Sequence, residues 1–216
     1  MATVVPTIFT ADPQEYRSLI TSFNAFTKHI HVDITDGDFV PARTIQAATA
    51  LCPQNWRVDF HMMVSYPSQY IPILLKLKPS LVIFHAEVKE KLAPTLEQLK
   101  AAGIKTGIAL LKGTYPGNLK TIISSVDHVL IFAGEIGKQG STADMLQIEK
   151  APIIRSIKKD VEIGWDGGAN LSNIRAIAHA DIDVINVGSA ICKAPGHATT
   201  YKALVEEADR RGVLLT

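Results

Sequence analysis

The segment at residues 29–37 reads HIHVDITDG, the pattern of a β-strand that runs into a tight turn. Side chains on a strand alternate between its two faces, so His31, Asp33 and Thr35 share one face and the isoleucine and valine side chains share the other. Burying an imidazole and a carboxylate together is costly unless they are paired, hydrated or bound to a metal. Taken alone, the segment is better explained as a strand with one solvated polar face.

The rest of the chain alternates short β-branched runs with longer amphipathic segments. Strands are predicted at residues 4–9, 29–34, 57–62, 81–85, 105–110, 128–132, 161–165 and 183–187. Helices are predicted at residues 13–26, 44–51, 67–77, 92–102, 116–123, 143–157, 171–179 and 199–211, the last ending at Gly212. Eight β–α units favour an α/β protein with a (β/α)8 TIM barrel as a single domain over residues 1–216. The alternative is an open doubly wound sheet, but no GxGxxG follows the first strand.

Composition limits the classes of partner. The net charge of +1 gives no bulk attraction for nucleic acid or a membrane surface, and no apolar run reaches the 18 residues that a membrane span needs. The first residues lack the basic and apolar segments of a signal peptide. Two cysteines without metal-site spacing favour a reducing, cytoplasmic setting.

Polar side chains fall at the C-terminal ends of the predicted strands, where (β/α)8 barrels carry their functional groups. They are Thr7, His31, Asp33, His61, His85 and Asp166. The imidazoles of His31 and His61 and the carboxylates of Asp33 and Asp166 form a mixed nitrogen and oxygen ligand set. Such a set suits one divalent metal ion, namely zinc, iron(II), manganese or cobalt.

Two glycine-containing turns follow the last two strands, with Gly167 and Gly168 after the seventh and Gly188 and Ser189 after the eighth. A short helix is predicted just after the second turn. Exposed N–H groups at the start of a helix bind phosphate, and the loops after strands 7 and 8 are the usual phosphate site of this fold. The two turns therefore predict a phosphorylated ligand.

These segments resemble the ribulose-phosphate 3-epimerase family over most of the chain. Residues 31–41, HVDITDGDFVP, are similar to the family's HLDVMDGHFVPN, and residues 59–65, DFHMMVS, to its DxHMMV strand. Residues 164–168, GWDGG, resemble its EVDGG, and residues 186–191, NVGSAI, resemble its GSAI turn. Thr7 stands where the family has a serine in a PSI-type strand.

The resemblance implies a ribulose-phosphate-binding barrel that interconverts D-ribulose 5-phosphate and D-xylulose 5-phosphate in the pentose phosphate pathway, by proton transfer at C3 through an enediolate. It implies Asp33 and Asp166 as the acid/base pair and as metal ligands, completed by His31 and His61. The implied substrate-binding residues are Thr7, His61, Met63, Gly167, Gly168, Gly188 and Ser189. Enzymes of this fold commonly self-associate, so we expect a homo-oligomer.

Two departures from the family concern the substrate. Thr35 replaces a methionine, which predicts a more polar pocket, and residues 133–140, AGEIGKQG, replace the family's PGFGGQ loop. Gly134, Gly137 and Gly140 supply hinge freedom for a lid, and Lys138 is either a phosphate contact or, as we favour, a solvated loop lysine. The alternatives are therefore an epimerase for another ketose or ketose phosphate, or a non-catalytic phosphate-binding barrel.

Two further polar residues of the opening segment are interpreted as structural. Asp36 belongs to an Asp-Gly turn, which explains its presence without a catalytic role. His29 lies at the start of the strand, far from the predicted mouth of the barrel.

Overall fold

The structure is a computed structural model that describes residues 1–211. Eight parallel strands form a closed barrel in chain order, with the last strand hydrogen-bonded to the first. This confirms the (β/α)8 barrel and rules out the open doubly wound sheet. The strands are β1 (Thr3–Ile8), β2 (His29–Thr35), β3 (Arg57–Met63), β4 (Leu81–His85), β5 (Lys105–Leu110), β6 (His128–Phe132), β7 (Glu162–Asp166) and β8 (Val184–Val187).

The helices between the strands surround the barrel. They are α1 (Pro13–Phe23), α2 (Ile71–Leu77), α3 (Ala93–Ala101), α4 (Lys120–Ser125), α5 (Lys150–Ile157), α6 (Ile174–Ala178), α7 (Ser189–Cys192) and α8 (His197–Asp209). None of the helices in residues 1–211 has the length and apolar character needed to cross a bilayer. The predicted stop at Gly212 lies outside the described residues, and the single domain over residues 1–216 stays a prediction.

The predicted helix at residues 44–51 is wrong, because only a 3-10 turn at Ala47–Thr49 forms there. The backbone N–H of Ile45 donates to the carbonyl of Thr10 at 2.8 Å, and the Thr44 hydroxyl accepts from the N–H of Thr35 at 3.0 Å. This segment is therefore bonded to its neighbours rather than to itself. The predicted helices at residues 67–77, 116–123 and 143–157 likewise begin with 3-10 turns before α2, α4 and α5.

Apolar side chains fill two regions. The larger core lies between the strands and the helices and includes fully buried Phe60, Phe84 and Trp165. A smaller cluster, formed by Leu81, Ile83, Ala109 and Leu130, comes from the alternate positions of β4, β5 and β6 that face the barrel interior. The interior is therefore a packed core beneath the mouth, as this fold requires.

Charged side chains occupy the N-terminal end of the barrel. His29 Nε2 lies 2.6 Å from Asp59 Oδ2, and Glu162 Oε2 accepts from Arg57 at 2.6 Å and pairs with His128 Nδ1 at 2.8 Å. Burial alone would raise the pKa of Asp59, but the hydrogen bond and positive charge of His29 outweigh it and lower that pKa. The structural interpretation of His29 is confirmed, since its partner lies in this cluster.

Candidate active site

Three strands bring the four predicted ligands together at the opposite, C-terminal end of the barrel. His31 and Asp33 lie on β2, His61 on β3 and Asp166 at the end of β7. Asp33 and His61 are direct partners in the β2–β3 register, so their side chains leave the sheet at the same level. All four residues are buried, and one ligand atom from each lies within 4.8 Å of the others.

The separations between these atoms test whether a metal ion fits. His61 Nδ1 lies 2.9 Å from Asp33 Oδ1 and 3.3 Å from Asp166 Oδ2, and His31 Nε2 lies 3.5 and 3.8 Å from the same two oxygens. A tetrahedral ion with bonds of about 2.0–2.2 Å needs ligand atoms roughly 3.3–3.6 Å apart. His31 Nε2 is buried and has no hydrogen-bond partner among the described residues. The donor set and its spacing therefore fit a divalent cation.

Burial and the pairing of carboxylates with imidazoles determine the pKa values of the ligand side chains. Burial alone would raise the pKa of Asp33, but the adjacent imidazoles of His31 and His61 outweigh it and lower that pKa to about 2. Burial would lower the pKa of His61, but the carboxylates of Asp166 and Asp33 outweigh it and raise that pKa to about 9. The negative charge of Asp33 and Asp166, which keeps His61 protonated, would also attract and bind a divalent cation.

A hydrogen-bonded chain extends from His61 away from the ligand cluster. His61 Nε2 lies 2.8 Å from His85 Nε2, and His85 Nδ1 lies 3.3 Å from Glu87 Oε2. Burial lowers the pKa of His85 to about 4, so this ring is neutral and accepts a hydrogen bond at one nitrogen while it donates from the other. Glu87 also accepts from the Leu111 N–H at 3.1 Å and from the Thr114 hydroxyl, which fixes its carboxylate. His85 was expected near the pocket, but it lies behind His61 and lines no part of the pocket wall.

A pocket of about 520 Å³, including its open entrance, lies above the four ligands. The structure brings to its wall every predicted substrate-binding residue except His61, which is fully buried beneath it. The predicted residues that line the pocket are Thr7, Asp33, Met63, Asp166, Gly167, Gly168, Gly188 and Ser189.

The glycines after β7 are required by close packing. A Cβ on Gly167 would lie 2.2 Å from the backbone nitrogen of Gly134, and a Cβ on Gly168 would lie 2.2 Å from that of Ala143. Both glycines also have positive φ angles, 103° and 73°. The backbone after β7 is therefore pressed against the loop after β6. After β8, α7 begins at Ser189, and the first N–H groups of a helix have no acceptor within it.

The loop at residues 133–140 lies over the pocket. A Cβ on Gly137 would lie 3.2 Å from Val40, and a Cβ on Gly140 would lie 3.4 Å from the Ser189 hydroxyl, so the loop reaches both sides of the mouth. Gly137 and Gly140 have positive φ angles, whereas Gly134 serves the close contact with the β7 turn. Lys138 pairs with Glu135, and its side chain is 71% exposed, which supports the solvated interpretation.

The departure from the family at Thr35, at the end of β2, does not alter the pocket as expected. The Thr35 hydroxyl donates to the Ala42 carbonyl at 2.8 Å, and Thr35 is absent from the pocket wall. The expected gain in polarity at this position is therefore wrong, because the hydroxyl bonds the adjacent loop. Asp36 accepts from the N–H groups of Asp38, Phe39 and Ser65, which confirms that it shapes the turn.

Two residues near the site were missed in the sequence. Glu87 ends the chain that runs from His61 through His85, and its signal was the polar H-x-E sequence at the end of β4. Asn186 lines the pocket from β8, and its signal was a single amide in the otherwise apolar strand VINV.

A model of the ribulose-phosphate 3 epimerase family matches residues 3–192 of the chain. The chain belongs to this family. A ribulose-phosphate 3-epimerase of Helicobacter pylori is 29% identical over 210 residues, which cover 93% of this chain and 95% of the relative. The chloroplastic ribulose-5-phosphate-3-epimerase of Arabidopsis thaliana is 30% identical over 184 residues, which cover 81% of this chain and 66% of that protein. This member of the epimerase family is therefore a carbohydrate epimerase, an enzyme of the isomerase class.

Solved structures with low sequence identity show the same fold. A 3-hexulose-6-phosphate synthase superimposes with a TM-score of 0.74 at 14% identity, covering 95% of this chain and 99% of that one. The orotidine 5'-phosphate decarboxylase of Pyrococcus horikoshii superimposes with a TM-score of 0.67 at 17% identity, covering 98% and 100%. The epimerase thus shares its barrel architecture with enzymes of other chemistry.

Proposed function

We propose that the protein is a metal-dependent epimerase that interconverts D-ribulose 5-phosphate and D-xylulose 5-phosphate by proton transfer at C3. The observation that carries the proposal is the placement of two carboxylates, Asp33 and Asp166, on different strands within one buried ligand cluster at the pocket floor. Epimerisation beside a ketone needs one group to remove a proton and another to return one to the opposite face. The names of the curated relatives agree with this reaction.

The two carboxylates have complementary roles in this proposal. One of Asp33 and Asp166 takes the C3 proton, and the other delivers a proton from the opposite side, with the roles exchanged in the reverse direction. Both line the pocket, and β2 and β7 are separated around the barrel by β1 and β8. When bound by His31, His61 and both aspartates, a divalent ion supplies Lewis acidity to the charge that develops on oxygen.

The remaining pocket residues bind and orient the sugar phosphate. Gly167, Gly168, Gly188 and Ser189 present backbone N–H groups to the phosphate at the turns after β7 and β8. Met63 packs beside the reacting carbons, and Thr7, whose buried hydroxyl has no partner among the described residues, hydrogen-bonds the sugar. The loop at residues 133–140 excludes water from the bound sugar.

The metal, the assembly state and the compartment are part of the same proposal. Zinc, iron(II), manganese and cobalt all suit two imidazoles and two carboxylates. Self-association into a homo-oligomer is proposed because enzymes of this fold commonly self-associate. Cys52 and Cys192 are free thiols, which agrees with a reducing compartment such as the cytoplasm.

A second candidate is an epimerase for another ketose or ketose phosphate. It is favoured by the loop at residues 133–140, which lies over the pocket and lacks the family's PGFGGQ sequence. A non-catalytic barrel is less well supported, because all four ligand side chains are retained in one cluster.

The test compares metal-free protein with protein reconstituted with each of the four metals. D-ribulose 5-phosphate and a panel of other ketoses and ketose phosphates are supplied, and products are followed by NMR. The proposal predicts D-xylulose 5-phosphate with reconstituted protein and loss of turnover after metal removal. If only another ketose or ketose phosphate is turned over, the second candidate is favoured. Turnover by the metal-free protein would contradict the metal dependence.

A further inference from the structure

Asn186 is a buried amide with no assigned role. It lies on β8, is 2% exposed and lines the pocket. Neither its Oδ1 nor its Nδ2 has a hydrogen-bond partner among the described residues. The other residues of β8 are Val184, Ile185 and Val187, so an apolar side chain suits this strand. A buried polar group without a partner destabilises a protein, and its retention requires an explanation.

The position of Asn186 relates it to both ends of the proposed substrate. In the register of β7 with β8, Gly164 pairs with Val184 and Trp165 with Ile185, which places Asn186 at the level of Asp166. Gly188, just beyond the end of β8, lies two residues farther along the chain, roughly 6.6 Å away, and starts the turn proposed to hold phosphate. Asn186 therefore faces the part of the pocket between the proton-transfer carboxylate and the phosphate.

A ketose 5-phosphate has one hydroxyl in that interval. C3, the reacting carbon, is joined to phosphorus through C4, C5 and the ester oxygen, and C4 carries the hydroxyl. A hydroxyl both donates and accepts, which matches the free carbonyl and amino groups of the Asn186 amide. We propose that Asn186 binds the C4 hydroxyl of the ketose phosphate and makes the enzyme selective for substrates that carry it; this inference rests on the proposed function.

This hydrogen bond would let the enzyme discriminate between sugars with and without the C4 hydroxyl, which the shape of the pocket alone does not do. A site built to hydrogen-bond a substrate hydroxyl rejects an analogue that lacks it, because its own polar groups are then left unpaired. We expect wild-type kcat/KM to be about 10²-fold or more lower for the 4-deoxy analogue than for D-ribulose 5-phosphate. This discrimination should be lost when the amide is replaced by an apolar side chain of similar size.

The experiment measures kcat/KM of the metal-loaded wild type, Asn186→Leu and Asn186→Val with D-ribulose 5-phosphate and its 4-deoxy analogue. Kd values for both sugars are measured by calorimetry on the same proteins. We expect each variant to lose about 10–100-fold on the natural sugar and little on the analogue, so that discrimination falls by the same factor of about 10–100. Equal losses on both sugars, or unchanged discrimination, would overturn the inference.

Two further readouts separate this inference from a structural role and from the proposed function. Because the amide lacks a protein partner, the melting temperature of the metal-free Asn186→Val variant should equal or exceed that of the wild type. A clearly lower melting temperature in both variants would assign Asn186 to folding and overturn the proposal. If the wild type turns over neither sugar, the proposed reaction fails, and the ratio of the two Kd values still decides whether Asn186 recognises the hydroxyl.

Discussion

Replacing Glu87 with glutamine should weaken metal binding without touching a ligand. In the wild type, Glu87 Oε2 accepts a hydrogen bond from His85 Nδ1, so His85 Nε2 is left to accept a hydrogen bond from His61 Nε2. That arrangement leaves His61 Nδ1 free of a proton when a cation is bound. A histidine ligand generally donates its second N–H to a partner of this kind, which fixes its tautomer.

The glutamine reverses the direction of this chain. Its oxygen remains with the Leu111 N–H and the Thr114 hydroxyl, because both groups donate to Glu87 Oε1. Its amino group then faces His85 Nδ1, which must accept, so that His85 Nε2 donates toward His61. The proton of His61 is pushed to Nδ1, the atom 2.9 Å from Asp33.

Binding a metal to this variant requires the chain to be reversed again or one buried N–H to lose its acceptor. Loss of a buried hydrogen-bond partner costs about 1–3 kcal/mol, and mutation of such outer partners lowers metal affinity by about 10–100-fold. We therefore expect the Kd for zinc or cobalt(II) to rise by about 10–100-fold, which corresponds to about 1.4–2.7 kcal/mol.

The assay is competition with a chromophoric chelator at fixed pH, and Glu97→Gln, on the exposed face of α3, is the matched control. The control should bind metal like the wild type. A Kd for Glu87→Gln within about threefold of the wild type, in a variant whose metal-free melting temperature is unchanged, would refute the tautomer argument.

Three further predictions concern stability and reactivity. Gly164→Ala should lower the free energy of unfolding by about 1–3 kcal/mol, since its Cβ would lie 2.5 Å from His128 Nε2; an unchanged melting curve would contradict this. Burial raises the pKa of Cys52 to about 11 and of Cys192 to about 12, so both should react far more slowly with a disulfide reagent at pH 8 than in urea, and equal rates would argue against their burial. Burial alone would raise the pKa of Glu162, but pairing with His128 and Arg57 outweighs it and lowers that pKa below its usual 4.5. The resulting stabilisation is present above pH 4.5 and is lost on acidification, so the stability of Glu162→Gln should fall less steeply with acid than that of the wild type. Identical acid profiles for the two proteins would refute this.

The sequence predicted the barrel because eight short apolar runs alternate with amphipathic segments, and several of those runs carry polar residues at the same end. The β2 segment illustrates this: its two-residue alternation places His31 and Asp33 on the inner face, and the structure has them there. The helix at residues 44–51 failed because propensity does not show that Ile45 bonds to Thr10 on the segment that leaves β1. Tertiary hydrogen bonds overrode a weak local preference.

The parts of the site that follow from a general rule of the fold could be predicted from the sequence. The parts that depend on a contact between two particular side chains could not. The four ligands follow from the rule that functional groups lie at the C-terminal ends of barrel strands. The partnership of His85 with His61 depends on side-chain directions across two neighbouring strands, which spacing in the chain does not show. At Thr35 the strand alternation led to a wrong prediction of a more polar pocket. The residue shares the face of His31 and Asp33, but its hydroxyl donates to the Ala42 carbonyl instead of facing the pocket.

The most direct test of the proposed chemistry is solvent deuterium at C3. Metal-loaded protein is incubated with D-ribulose 5-phosphate in deuterated water, and the D-xylulose 5-phosphate formed is analysed by NMR. The account predicts deuterium at C3 of the product, and a loss of conversion of about 10²–10⁴-fold in Asp33→Asn and in Asp166→Asn. Conversion without deuterium at C3, or full conversion by either variant, would contradict the assignment of the two carboxylates as the proton-transfer pair.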